Sequence, residues 1–262
     1  MVIRRIRDHV ADHDWFAVAV DVGIVVLGVF LGTQVSNWNE DRVEREQARD
    51  YRARLIEEVA FNARQFTAQR LYYEQAKTYG REALSVLAGE RELPDTDFVV
   101  AAYQLSQTDT TPAKTYLFDE MTANDMVTRL GDAKLQQATS DYYLGLNASN
   151  RVIAETYPYR TLIREVIPYD VQKQIRDSCG DREVRLSGRL VGVRLVVPCP
   201  VRLDPAIAAR AAGIVRATPR IEVEMTRYIA SLDEKLDQLG PGVDYSGTLR
   251  RALSAAGTTS AS

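Results

Sequence analysis

The chain is poor in the residues that carry chemistry by themselves. It has two cysteines, Cys179 and Cys199, and two histidines, His9 and His13. No P-loop, G-x-S-x-G, H-E-x-x-H or C-x-x-C pattern occurs, so the short signatures of phosphate cradling, nucleophilic hydrolysis and zinc proteolysis are missing. Charge of one sign is lacking too. The 33 Lys and Arg stand against 36 Asp and Glu, for a net charge of −3, which exerts no global pull toward nucleic acid. The arginines are interleaved with acids, as in Glu40-Asp41-Arg42 and Glu44-Arg45-Glu46, the pattern of a solvated helix face. His9 and His13 share a face at i, i+4, but no third ligand accompanies them, so neither a metal nor a cofactor is expected. Finally, no Gly or Pro falls between Thr33 and Tyr79, and one helix can run through that stretch.

What is present is a long apolar run. Trp15 to Val35 reads WFAVAVDVGIVVLGVFLGTQV, with a single charge. About twenty such residues cross the hydrocarbon core at roughly 1.5 Å per residue. Trp15 and Trp38 bracket the run, so a straight helix sets their rings about 35 Å apart, one in each headgroup layer. A secretory signal also starts with basic residues, here Arg4, Arg5 and Arg7. The run is longer than a signal core, and only Gly32-Thr33-Gln34-Val35-Ser36 follows it, with no clean small-x-small site. An uncleaved signal anchor over 15–36 is therefore expected, with 1–14 as a cytoplasmic flank; the competing reading is a buried helix of a soluble protein.

Two signals disagree on orientation. Arg42, Arg45, Arg49, Arg52 and Arg54 follow the span, and a positive-inside count alone puts the following domain in the cytoplasm. That rule weakens for long domains, which translocate largely regardless of charge. In a reducing compartment Cys179 and Cys199 are two thiols; in the periplasm they form a disulfide that stabilises by about 3 kcal/mol in the chain-entropy model. The expected arrangement is a bacterial inner-membrane protein with its C-terminal domain in the periplasm and the disulfide formed.

Asp21 is costly in hydrocarbon unless it is protonated, paired or snorkelled. From it, Val25, Gly28, Gly32 and Val35 follow at spacings of 4, 3, 4 and 3, so the five share one face. Gly28 and Gly32 form a G-x-x-x-G, which lets two helix backbones approach closely. The seam is a candidate for a homodimer or for pairing with another membrane protein. The bland alternative is that Asp21 reaches the interface and the glycines are incidental.

Beyond the span, Tyr51, Leu55, Val59, Asn62, Phe66, Tyr73, Ala76, Ala83 and Leu87 step mostly by three or four, which predicts a long amphipathic helix ending near Gly89. Asn37 and Asn39 allow a break at its membrane end. Shorter helices are expected from Thr96 or Asp97 to Leu105, and from Pro112 to Met121. Asp132–Asp177 is helical in pattern, interrupted at Pro158 and Pro168. The period then changes to two around Ser187-Gly188, which predicts a hairpin within 182–198 flanked by the cysteines. Asp204-Pro205 starts another helix, and Pro219 opens the last. Its seam of Ile221, Met225, Tyr228, Leu232, Leu236 and Leu239 is expected to stop at Gly240-Pro241, leaving 242–262 as a flexible tail. The fold class is mainly α: a transmembrane helix, then an antiparallel helical bundle over 37–241 with one small β-hairpin.

Within that bundle, Glu57 and Glu58 read as solvent carboxylates. Tyr72, Tyr73, Tyr142, Tyr143, Tyr157, Tyr159 and Tyr169 gather on two helical regions, where they either line a small-ligand pocket or pack the core with hydroxyls at its rim. The expected function is a non-enzymatic binding or scaffold module. The alternatives are a membrane-tethered enzyme with a site between the tyrosine-bearing helices and a sensory input subunit working through a partner.

The stretch Asp21-Val-Gly23-Ile-Val-Val-Leu-Gly28, followed by Gln34-Val-Ser-Asn37-Trp38-Asn39-Glu40, resembles a family of bacterial single-pass membrane proteins of unknown function. Tyr116-Leu-Phe-Asp-Glu120, Val127-Thr-Arg-Leu130 and Tyr142-Tyr143 resemble a later, looser segment of the same family, so the resemblance covers about the first 145 residues. It implies the anchor and a helical soluble domain and brings no known activity. Many relatives have Glu where this chain has Asp21.

Overall fold

A computed structural model describes residues 15–259. The flank 1–14, with His9 and His13, and residues 260–262 lie outside the described residues, as do the side chains of Trp15 and Asp21. The chain divides into two units, 1–50 and 51–262.

The described part of the first unit is helical, the start of α1 (Trp15–Leu87). Val22–Val35 is apolar on every side, and its large side chains are exposed, from Val25 at 65% to Phe30 at 56%. The break allowed at Asn37 and Asn39 does not occur. Helix continues through them without Gly or Pro, and side-chain contacts one turn apart support it: Ser36 Oγ donates to Glu40, Arg45 Nε donates to the Asp41 carbonyl, and Arg42 pairs with Glu46.

The second unit is mainly helical and, among the described residues, holds one two-stranded sheet. From Tyr51 the rest of α1 shows the one-sided pattern predicted for it: Leu55, Val59, Phe66, Tyr73, Ala76 and Ala83 are fully buried or nearly so. Next in chain order are α2 (Asp95–Leu105), α3 (Tyr116–Ala123), a 3-10 turn at Val127–Arg129, α4 (Ala133–Ala154), α5 (Pro158–Val166) and α6 (Tyr169–Cys179). The two prolines interrupt as expected, with Pro158 in the first turn of α5 and Pro168 just before α6. Every residue from Phe98 to Leu105 is buried, so α2 is the central helix, with α7 (Pro205–Ala217) packed along it.

The hairpin forms as read. Strands β1 (Arg182–Leu186) and β2 (Arg189–Arg194) pair antiparallel, with an irregularity at Val184/Arg185. Its two-residue turn takes φ of 49° at Ser187 and 78° at Gly188, the left-handed pair that a tight hairpin of this hand requires. Cys179 and Cys199 are disulfide-bonded, 5.2 Å apart at Cα, closing the segment that contains the hairpin. Asp204 caps α7 by accepting from the backbone N–H groups of Ala206 and Ile207.

Two expectations are corrected. Helix α3 starts at Tyr116, not Pro112, because side chains of α1 bind the preceding backbone in a non-helical loop. Asn62 accepts from the Lys114 N–H and donates to the Lys114 carbonyl; Gln65 and Gln69 donate to Thr111, and the Tyr73 hydroxyl donates to the Asp109 carbonyl. Once those backbone groups are satisfied, the helical alternative loses its advantage.

The last helix, α8 (Ile221–Thr259), runs straight through Gly240-Pro241, so 242–259 is not a flexible tail. Beyond Pro241 the seam continues with Ser246, Leu249 and Leu253, all buried, and Arg52 of α1 donates to the Ala256 carbonyl. Burial of that seam offsets the one helical hydrogen bond that a proline removes. A methyl group at Gly242 would meet the Phe66 ring at 3.0 Å, so glycine permits a close approach there.

Candidate functional site

Helix α4 lies along α8, and a groove of about 560 Å³ opens between them. Small residues make the space: Ala138, Gly145 and Ala148 on α4, and Gly242 and Ala252 on α8. Buried Tyr142, Leu146, Leu249 and Phe66 also line it, and exposed Tyr245 contributes from α8. The deepest hydroxyl of the lining is paired: Tyr142 lies 3.1 Å from Ser246 Oγ, and Ser246 donates to the Gly242 carbonyl, while Asp141, Ser149, Gln238 and Tyr245 add polar groups to the lining. A guest therefore meets a mainly apolar lining with a few polar groups among it. A cavity of this size lies within the ~300–1,000 Å³ of small-molecule sites.

The tyrosines serve mainly as buried donors. Tyr72 donates to Asp181, Tyr143 to Glu58 at 2.6 Å and Tyr159 to the Ala102 carbonyl, each a long-range tie between elements. Their rings pack on one another, Tyr142 edge-on to Tyr143 and Tyr143 stacked on Phe118. Burial pushes the Tyr72, Tyr143 and Tyr159 hydroxyls far above the ordinary tyrosine range, so they do not supply protons near neutral pH. Tyr169 departs from the set and is exposed.

Glu58 corrects the reading of two solvent carboxylates. Glu57 is exposed, but Glu58 is only 6% exposed. Leu55, Val59 and Asn62 are buried beside it, and this broad stripe turns Glu58 inward. Oε1 accepts from Tyr143, while Oε2 is buried without a hydrogen-bond partner. Burial raises its carboxyl above the usual range, against the opposing pull of the Tyr143 hydroxyl, the Leu117 backbone N–H and the Lys114 ammonium. Glu58 lines a second, smaller cavity of about 240 Å³ together with Arg54, Glu57, Phe61, Lys114 and Arg189. The signal in the sequence was slight: an acidic residue one position before a seam valine.

A further, part-buried polar cluster is architectural. Arg160 and Arg164 of α5 donate to the Ser106 carbonyl and Oγ and to Gln107 Oε1, at the C-terminal end of α2. Cations there complement the helix dipole and satisfy its last acceptors. Lys235 plays a similar part for α4, donating to the Ile153 and Glu155 carbonyls at 3.0 and 2.9 Å; burial lowers its pKa.

Of the predicted membrane seam, Val25, Gly28, Gly32 and Val35 stand exposed on α1, and a methyl group built at either glycine meets nothing within 4 Å. Asp21 lies on the same helix; its side chain, like that of Trp15, is outside the described residues. Trp38 is exposed. Among the described residues, one helix is long and apolar enough to cross a membrane by length and composition, and its apolar window is unburied. No three His, Cys, Asp or Glu side chains among the described residues group as a metal site. No family model matches the chain, and neither a curated protein nor a solved structure matches it.

Proposed function

We propose that the chain is a non-enzymatic, single-pass protein of a bacterial inner membrane, with a periplasmic helical domain that binds the apolar chain of an amphiphile. The groove between α4 and α8 carries this reading. It is open, its walls are mainly small and apolar, and the hydroxyl of its buried Tyr142 is already engaged with Ser246. An apolar chain fits those walls, with its polar head left at the rim beside Asp141 and Gln238. The exposed apolar surface of Val22–Val35 supports the anchor, because such a surface on all sides of a helix suits a lipid solvent. The disulfide supports an oxidising compartment. The tyrosines support a binding role over a membrane-tethered enzyme, since their hydroxyls are spent on structural acceptors.

The test is photo-crosslinking of the full chain in nanodiscs with a diazirine-bearing fatty acid, mapped by peptide mass spectrometry. Adducts are expected on α4 and α8. A methyl group at Gly145 meets nothing within 4 Å and Gly145 lines the groove, so Gly145→Trp places an indole in the groove. It should cut those adducts about tenfold, the equivalent of ~1.4 kcal/mol. Adducts confined to 15–36, or unchanged in Gly145→Trp, would overturn the reading.

A further inference from the structure

The 240 Å³ cavity beside Glu58 is unlike the groove in chemistry and shares no lining residue with it. Its lining combines two acids, Glu57 and Glu58, with three cations, Arg54, Lys114 and Arg189. Arg54 is engaged, donating through both terminal nitrogens to the Glu120 carboxylate at 3.2 and 2.8 Å. Lys114 and Arg189 make no ion pair among the described residues; the Lys114 ammonium lies 3.8 Å from the centre of the Phe61 ring. Glu58 Oε2 is buried with no partner. A buried acceptor without a donor carries a desolvation cost, which Tyr143, the Leu117 N–H and Lys114 oppose without overcoming it, and native proteins hold few such groups.

We infer that this cavity is a binding site for a small zwitterion of the α-amino-acid class, with its ammonium donating to Glu58 and its carboxylate held between Lys114 and Arg189. The complement is one acceptor oxygen without a hydrogen-bond donor and two cations without an ion pair among the described residues, and a molecule bearing both groups satisfies both ends at once. A volume below the ~300 Å³ of the smaller drug-sized sites restricts the guest to a few heavy atoms. Exposed Tyr116 is also part of the lining, while buried Phe61 gives an apolar wall for the guest's own side chain. Arg189 comes from the hairpin that the disulfide-closed segment carries, so the site draws on α1, the loop before α3 and β2.

The experiment is isothermal titration calorimetry of the full chain in nanodiscs with L-alanine, L-leucine and L-glutamate, and with acetate and methylamine as single-charge probes. Saturable binding of at least one amino acid is expected, with acetate and methylamine each weaker by at least about tenfold. Glu58→Gln and Arg189→Gln should each weaken binding about tenfold or more. Arg189 is exposed on the hairpin, so Arg189→Gln keeps the test decisive even if Glu58→Gln fails to fold. Gly145→Trp should leave this binding unchanged, which separates the site from the apolar groove. Three results would overturn the inference: no saturable heat up to about 10 mM of any amino acid, acetate binding as tightly as the amino acids, or affinity unaffected by Arg189→Gln.

Discussion

Val22–Val35 and Leu55–Ala83 lie on the same helix, and both are rich in apolar residues, yet they meet opposite fates. In the second stretch the apolar residues recur every three or four positions, and the rest of the domain covers them: Leu55, Val59 and Ala83 are fully buried. In the first they fill every position around the helix, and all the large ones are exposed. A one-sided stripe can be satisfied by the chain's own packing, whereas an all-round surface needs an apolar solvent or many neighbours. The contrast also separates kinds of polar residue. Asn62, Gln65 and Gln69 sit inside the second stripe because each finds backbone partners in the loop before α3. The Asp21 side chain lies outside the described residues, and crosslinking of the helix in membranes tests whether a second helix pairs with its face.

The largest test of this contrast compares two phenylalanines. Phe66→Ala removes a ring that is 1% exposed and packed on Gly242, and should cost the domain about 3–5 kcal/mol in urea unfolding followed by circular dichroism. Phe30→Ala, in the exposed stretch, should leave the same transition in place. If Phe30→Ala shifts it as far, the first stretch has a covered face after all. Next in size is the disulfide. Replacing Cys179 and Cys199 by Ala should lower stability by about 3 kcal/mol, read as a drop in urea midpoint against oxidised wild type. An unchanged midpoint would mean that the bridge adds nothing to the stability of the folded domain.

A smaller effect probes Glu58, the acid inside the covered stripe. Tyr143→Phe deletes the donor to its Oε1 and should cost about 1–3 kcal/mol, measured the same way. Burial raises the Glu58 pKa, so the folded domain holds that proton more tightly than the unfolded chain does. The stability this contributes is complete below the ordinary glutamate range and is lost as pH rises through the raised value. Wild type should therefore lose more stability than Glu58→Gln over that window. The residual slope in the variant is assigned to Asp181, whose pKa burial also raises. Parallel pH profiles would show that Glu58 is ionised alike in both states. The smallest effect on the fold belongs to Gly28→Leu with Gly32→Leu, which should leave the domain's unfolding untouched. The double variant should instead reduce helix crosslinking in membranes about tenfold if the seam pairs, a change of ~1.4 kcal/mol. Unchanged crosslinking would remove the seam.

Much of the architecture was legible because its signals are local. Ser187-Gly188 marks a tight turn, Asp204-Pro205 a capped helix start, Pro158 and Pro168 two interruptions, and each was found where the sequence placed it. The misses all depend on something distant. Pro112 reads as a helix start until Asn62, Gln65 and Gln69, more than forty residues earlier, take up the neighbouring backbone. Gly240-Pro241 reads as a stop until Leu249, Leu253 and Arg52 are seen to dock the continuation. Neither cavity has a sequence signature, because each is space left between elements: one where Ala138 and Gly145 fail to fill the gap beside α8, the other where three separate segments meet around Glu58.

By itself, then, the sequence determined the elements. Periodicity, capping, turn residues and an unbroken apolar run act over a few neighbouring positions, so they can be read without knowing the tertiary contacts. Only the tertiary structure decided which polar side chains went inside and where space remained. Burying Glu58 or extending α8 past Pro241 is unfavourable locally, and becomes favourable only when a remote hydroxyl, backbone carbonyl or apolar seam meets it.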